Sequence, residues 1–344
     1  MKLKELSNLL GLSPTTVSRA LGGYSEVSEK TRLKVQAAAD EHHYNPNSRA
    51  KGLATGRAMM IGHIIPTASQ HEMVNPIFGD FLSGASHSYS KHGYDLILSQ
   101  VQTGDEERAY SKLKSKGAID GIVVQGPTAD EPRIALLNRL QIPFVLHGRA
   151  SGVTEPYNWV DVNNTHSFMR ATEFLLNLGH RRIALINGLE SMDFAQRRRQ
   201  GYLDALRLAG VAANADYMHS ADMTEEYGYQ AALSMLQLAT PPTAMLVSSL
   251  ISAIGVRRAI EEMRLRMGKD ISVVIHDDDI SYLKNGRDIP IFTATRSSVY
   301  EAGELCGDML IDLIEHPRAQ ADPLHKLLES QLLVGQSTGS APLP

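Results

Sequence analysis

Residues 9–21 read Leu9-Leu10-Gly11-Leu12-Ser13-Pro14-Thr15-Thr16-Val17-Ser18-Arg19-Ala20-Leu21. Gly11 can take the left-handed backbone angles that end a helix. Ser13 can accept from the exposed N–H groups that open the next one, and Pro14 stands where a missing N–H costs nothing. Helix, tight turn and helix follow. Leu6 and Leu10 stripe one face of the first helix, and Val17 and Leu21 stripe the second at a four-residue step. Packing those stripes together leaves Thr15 and Arg19, with Thr16 and Ser18 beside them, on the outer face. That face is short, hydroxyl-rich and positively tipped, as a helix entering a DNA major groove must be. An ordinary helical hairpin with a solvated outer face carries the same pattern.

Working outward, a third helix is capped by Ser28 and draws apolar surface from Leu33, Val35 and Ala37–Ala39 through about His42. The next stretch, Tyr44–Arg57, has a proline start, three basic residues, two interior glycines and one large apolar side chain, Leu53. It buries too little to stay folded alone, so it is either a plain linker or a short helix that orders on a minor groove and wedges Leu53 into a base step. From Met1 to Arg57 there are nine Lys and Arg against five Asp and Glu, whereas the whole chain carries a net charge of −4. A small basic head on an acidic body suits a polyanion-binding module carried by a part that would not itself hold DNA.

Beyond Arg57, apolar strands alternate with amphipathic helices. Strands are expected at 59–65, 95–99, 121–125, 144–147, 182–187, 244–247, 272–275 and 292–295. Helices are expected at 77–91, 163–178, 195–209, 227–238, 251–262 and 299–314. This order implies parallel sheets covered by helices, and the length implies two lobes. Ligands of such sheets sit beyond the carboxyl ends of the strands, which between two lobes makes a closable cleft. With 344 residues, 43% hydrophobic and 21% charged, the chain has globular composition. No apolar run reaches the roughly twenty residues of a membrane span and no export signal is recognised, so a cytoplasmic protein without membrane contact is expected. One cysteine, Cys306, rules out an internal disulfide and a cysteine metal cluster.

The ordered set Leu12–Leu21, Val27–Arg32, Tyr44–Asn47, Asn75-Pro76-Ile77-Phe78, Gly93-Tyr94-Asp95, Asp120-Gly121-Ile122, Leu178–Ala184 and Arg198 with Gly201-Tyr202 resembles the lactose-repressor/galactose-repressor (LacI/GalR) family over nearly the whole chain. The resemblance implies an α/β protein with an N-terminal all-α helix-turn-helix head and a two-lobed, doubly wound parallel-sheet effector domain of periplasmic-binding-protein type. It implies a head at 1–45, a hinge helix at 46–57 and an effector and dimerisation domain at 58–344. Lobe 1 is expected at 58–161 with 290–320, and lobe 2 at 162–289 with 321–336.

By the same resemblance, Pro14, Thr15, Thr16, Ser18 and Arg19 face DNA, with Arg19 or Thr15 reading base edges and Thr16 holding phosphate. Ala50, Lys51 and Leu53 match the hinge helix, Lys51 standing where arginine is commoner. Phe78, Arg149, Arg198 and Asp277 are the expected effector contacts: an arginine and a carboxylate can clasp adjacent sugar hydroxyls while Phe78 lies on the ring. The implied partners are double-stranded operator DNA, a small sugar effector and a second copy of the chain. No cofactor and no metal are expected. The carboxyl end has no leucine heptad, so a dimer is expected. Departures from the pattern are Gly148, Asn163, Ser249-Leu250 and Ile275-His276 near the cleft, and His43 where the head has glycine. The run Phe144–Arg149 resembles regulators of α-glucoside uptake.

Two other classes share parts of this pattern. Gly335-Gln336-Ser337-Thr338-Gly339 spells a hydrolase elbow, but no Asp, Glu or His follows to complete a triad; no enzyme is expected. A sugar-transport receptor would share the lobes but not the basic head. A co-repressed regulator of the same fold would use the same parts with opposite sign.

Overall fold

The structure is a computed structural model and describes residues 1–22, 24–44, 56–66, 74–102, 104–317 and 322–342. The expected hinge contacts Ala50, Lys51 and Leu53 lie outside the described residues. Two compact units are present: Met1–Met59 with Gly117–Ile119, and Met60–Lys116 with Asp120–Pro344.

In the first unit, α1 (Leu3–Leu10), α2 (Pro14–Leu21) and α3 (Glu29–Glu41) enclose Leu6, Val17, Ala20, Val27, Val35 and Ala39. The caps are those the residues call for. Gly11 adopts φ 65, and the Ser13 hydroxyl accepts from the Thr16 N–H at 3.0 Å. Leu33 corrects one expectation, being 63% exposed. The inward positions of α3 are Val35 and Ala39, one helical turn apart, and a residue two before Val35 projects to the opposite side. His43 takes the left-handed angle a glycine would (φ 47), letting the Tyr44 N–H reach the Ala39 carbonyl at 2.8 Å and the Tyr44 ring join the core edge.

The second unit runs β1 (Met60–Pro66), α4 (Pro76–Lys91), β2 (Asp95–Val101), α5 (Glu106–Ser115), β3 (Gly121–Gln125), α6 (Pro132–Leu140), β4 (Phe144–His147), β5 (Asn158–Val162), α7 (Asn164–Asn177), β6 (Ile183–Asn187), α8 (Asp193–Leu208), β7 (Met218–Ser220), α9 (Glu225–Leu236), β8 (Ala244–Val247), α10 (Leu250–Glu262), β9 (Ser272–Asp277), β10 (Thr293–Arg296), α11 (Val299–Glu315), β11 (His325–Leu328) and β12 (Gln331–Leu333). One sheet has the order β11-β5-β4-β3-β1-β2 and is parallel throughout. The other has the order β12-β10-β9-β8-β6-β7, with only β12 antiparallel. Each sheet carries one lobe, and the near-continuous apolar strands β3, β6 and β8 are buried on both faces as such sheets require.

The lobe boundaries differ from the expected ones at the carboxyl end. β10 at 293–296 pairs with β9 in the second sheet, and β11 at 325–328 pairs with β5 in the first. Among the described residues the chain therefore passes between lobes three times, at 162–164, 297–298 and 329–330. These passages are tied together: Asn163 N–H donates to the Leu328 carbonyl at 2.8 Å, the Ser167 and Ser330 hydroxyls share a 2.6 Å bond, and Ser297 N–H donates to the Asp277 carbonyl at 3.0 Å. Strand pairing at long range, which local periodicity does not encode, decides which lobe each late segment joins.

Ser337 of the hydrolase-like motif is fully buried. Its hydroxyl accepts from Thr293 N–H at 2.8 Å and donates to the Val273 carbonyl, clipping the tail to the second sheet.

Candidate functional site

On α2, the Ser13 cap and the inward Val17–Ala20 edge fix the helix rotation, leaving Pro14, Thr15, Ser18 and Arg19 exposed and Thr16 half-buried. The Thr16 hydroxyl is 2.8 Å from that of Ser13, so it already serves the cap. The exposed face combines hydroxyls with one guanidinium, groups suited to phosphate oxygens and base edges.

In the second unit, a cleft of about 450 Å³ lies between the lobes, where strand ends meet the amino ends of α4, α7, α8, α9, α10 and α11. Phe78 and Arg198, both expected, line it. Arg198 projects from α8 and is 5% exposed. Its Nε donates to Asn164 Oδ1 at 2.8 Å and its Nη1 to the Ser248 carbonyl at 2.7 Å. The rings of Phe168 and Phe194 hold the guanidinium carbon at 5.1 and 4.8 Å. Burial lowers its pKa to about 10, still far above neutrality. Two donors are thus spent on orientation, and the charge is aimed into the cleft by a preformed frame.

The other two expected contacts sit differently. Arg149 does not line the cleft. Its Nε holds Asp161 at 2.7 Å and its guanidinium lies 5.1 Å from the centre of the Trp159 ring. Asp161 forms the wall in its place, its carboxyl raised in pKa because burial outweighs the pull of Arg149. Asp277 is also absent from the wall. Its carboxylate accepts from Asp279 N–H at 3.0 Å and lies 3.9 Å from Arg296 Nε. The neighbours His276 and Asp278 line the cleft instead, because successive residues at a strand end point to opposite sides.

Asp278 has its pKa raised to about 7, by burial first, with Asp277 adding to the rise and Arg198 opposing it. His276, 3.5 Å from Asp278, is driven well below its ordinary value by burial and then by Arg198, and burial takes His147 to about 4. Both imidazoles are neutral at pH 7, and His147 stacks on Phe81 with centroids 4.5 Å apart. A carboxyl whose pKa is raised on folding binds more protons folded than unfolded between its unfolded value near 4 and about 7. Its contribution to stability therefore falls as pH rises through that window. Asp278→Asn is expected to raise the thermal midpoint at pH 8 relative to the native chain and to raise it less at pH 5, near the lower end of that window; thermal melts at the two pH values check this.

Two sets of side-chain contacts are among those that bridge the lobes around the cleft. Asp80 of α4 accepts from the Ser281 hydroxyl at 2.6 Å and from its N–H. The buried Asp193 accepts from Ser151 N–H at 2.7 Å and pairs with Arg197, which donates to the Ser151 hydroxyl at 2.8 Å. Arg197, one residue before Arg198 on α8, closes this bridge.

Asp161, Asn164, Gln125, His147, His276 and Asp278 are cleft residues beyond the expected set. Their common signal is a polar side chain at or just past the carboxyl end of a strand. Among the described residues, no group of three His, Cys, Asp or Glu could hold a metal ion, and no helix is long and apolar enough to cross a membrane.

Residues 2–47 match the bacterial regulatory proteins of the lacI family, and residues 59–324 match the periplasmic binding proteins and sugar binding domain of the LacI family. The chain is 41% identical over 343 residues to the HTH-type transcriptional regulator AglR of Rhizobium meliloti, covering 99% of this chain and 95% of that one. Among solved structures, it is similar to the Lac repressor dimer bound to operator and the anti-inducer ONPF (TM-score 0.79, 27% identity, 98% of this chain and 99% of that one). It is also similar to a transcriptional regulator CelR–cellobiose complex (TM-score 0.72, 26% identity, 98% and 99%). A basic helix-turn-helix head and a two-lobed ligand cleft, each matched by its own family description, leave neither a hydrolase nor a transport receptor: the chain is a DNA-binding transcriptional regulator of the LacI family.

Proposed function

We propose that this regulator is a repressor, acting as a homodimer on a pseudo-palindromic operator and released by a small carbohydrate bound between its lobes. The observation that supports the carbohydrate is the pairing, in one cleft, of an oriented Arg198 donor with the carboxyl groups of Asp161 and Asp278. Donor against acceptor is how vicinal hydroxyls are held, and Phe78 can cover an apolar ring face. The CelR structure holds cellobiose, which accords with this ligand class. Effector binding shifts the lobe equilibrium, and the segment 46–57 between head and lobes transmits it.

In the head, Arg19 or Thr15 reads base edges with Ser18 beside them, Pro14 makes an apolar contact and Thr16 holds phosphate. Ala50, Lys51 and Leu53 act at the operator centre. The test is a mobility-shift titration with a twofold-symmetric operator, with and without sugars. Arg19→Ala is expected to weaken operator binding by roughly 10- to 100-fold, as loss of one good base contact does, while changing affinity for scrambled duplex far less. Equal loss on both duplexes assigns Arg19 to phosphate. No preference for operator over scrambled DNA under any sugar overturns the repressor reading.

A further inference from the structure

The bridge at Asp193 is seated on a braced piece of the first lobe. In the loop after β3, buried Glu131 accepts from Thr128 N–H at 3.1 Å and from Arg133 Nε at 2.6 Å. Arg133 in turn donates through Nη2 to the Gln125 carbonyl at 3.2 Å. Onto this ledge docks the start of α8 from the second lobe. Asp193 N–H donates to the Pro127 carbonyl at 3.0 Å, and Thr128 pairs with Met192 as an isolated antiparallel bridge. The fully buried Asp193 carboxylate takes Ser151 N–H from the loop after β4, and Arg197 donates to both Asp193 and the Ser151 hydroxyl. A buried carboxylate is stable only while its donors stay in place, and charge-assisted bonds of this kind are the stronger ones.

Placement gives this contact leverage. The lobe crossings use β5 and β11 of one sheet and β10 and β12 of the other, toward one edge of each. The Asp193 bridge instead joins the ends of β3 and β4 to the end of β6, which lies three strand spacings from β10, roughly 14 Å. The Asp80–Ser281 bridge runs from α4, which follows β1, to the loop after β9. The two bridges share no residue, yet parting the lobes about the crossings must break both. Asp80, Ser151, Asp193, Arg197 and Ser281 all stand outside the cleft wall, so their contacts can be altered without touching the groups that face a ligand.

We infer that the two bridges act as one cooperative clamp on the lobes, with Asp193 as the main catch and Asp80 as the second. Each lobe is a packed sheet that moves as a body, so releasing one catch raises the opening frequency at the other. The clamp is made of protein groups alone and concerns lobe motion before any effector binds. It therefore stands apart from the carbohydrate reading given above.

Ser151 and Ser281 each donate a backbone N–H to a carboxylate of the other lobe, so amide hydrogen exchange reads the two catches separately. The test is exchange resolved to single amides, on the full chain with no sugar added. Asp80→Ala is expected to speed exchange at Ser151, on the catch it does not touch, by roughly tenfold or more, as loss of a charge-assisted hydrogen bond does. Arg197→Met, which removes the guanidinium from the Asp193 catch and keeps an unbranched side chain on α8, is expected to speed exchange at Ser281 in the same way. Asp80→Asn, a milder change at the same half-buried position, is expected to act in the same sense as Asp80→Ala and more weakly. Val123 of β3 and Ile186 of β6, inside the lobes, are expected to stay within about twofold of the native rates, because lobe opening leaves the sheets intact. Acceleration confined to the substituted catch overturns the clamp, as does equal acceleration at Val123 and Ile186. Either result leaves the repressor and carbohydrate readings standing, since those are tested on operator and sugar.

Discussion

Replacing Arg198 with alanine is expected to lower effector affinity by roughly 100-fold or more, since a charged donor contributes about 1.5–3 kcal/mol per hydrogen bond and a bidentate clasp uses two. Operator binding of the ligand-free protein is expected to persist, because α2 presents its own outer face on the head's own core. The variant would thus repress and no longer respond. Arg198 also holds Asn164 Oδ1 and the Ser248 carbonyl, and it fills the gap between Phe168 and Phe194. Alanine would leave those acceptors without their donor and open a void. Arg198→Met keeps the packing and removes the donors, separating the two effects. Calorimetry with the effector beside mobility shift with the operator reads both quantities. Loss of operator binding in Arg198→Met, or an unchanged response to effector, would remove Arg198 from the role given to it.

Gly303→Val is expected to destabilise the effector domain by about 3 kcal/mol or more, the upper range for overpacking. A fall in thermal midpoint of roughly 6–12 °C follows for a domain of this size. Gly303 of α11 lies against the Phe81 carbonyl of α4, and Gly84 of α4 lies reciprocally against the Tyr300 carbonyl of α11. A Cβ at either position would collide with backbone, which cannot swing aside as a side chain can. The helices would have to separate, and α11 also covers β3, β4 and β5 of the first lobe. Gly79 of α4 supplies the contrast: a Cβ there meets nothing within 4 Å. Gly79→Ala is therefore expected to be neutral or stabilising by up to about 1 kcal/mol. Thermal or urea unfolding of the two variants measures the difference; similar behaviour would show that the close helix approach relaxes easily.

Much of this architecture is readable without coordinates, for identifiable reasons. The Gly11–Ser13–Pro14 turn and the alternation of strands β1, β3, β4, β6 and β8 with their helices are local signals, carried by caps and by apolar period. The strands that escape the sequence reading are β5, β7, β11 and β12. β7 has three residues and β11 is almost wholly exposed, so neither supplies an apolar run. β5 places Asp161 and two half-buried residues, Asn158 and Trp159, in a short segment where polar and apolar groups mix. Sequence also located Arg198 and Phe78, both set by the rotation of long amphipathic helices. It placed the cleft carboxylate at Asp277 and the second arginine at Arg149, one residue and one ion pair away from the groups that form the wall.

By itself the sequence determined that this protein is a basic three-helix head joined to two parallel-sheet lobes, because capping, glycine turns and apolar periodicity act over a few residues and survive in the linear pattern. Only the tertiary structure decided that β10 and β11 trade lobes and that Asp278 and Asp161 rather than Asp277 and Arg149 line the cleft. Those outcomes depend on strand pairing, side-chain direction at strand ends and partners more than a hundred residues apart, none of which leaves a local trace.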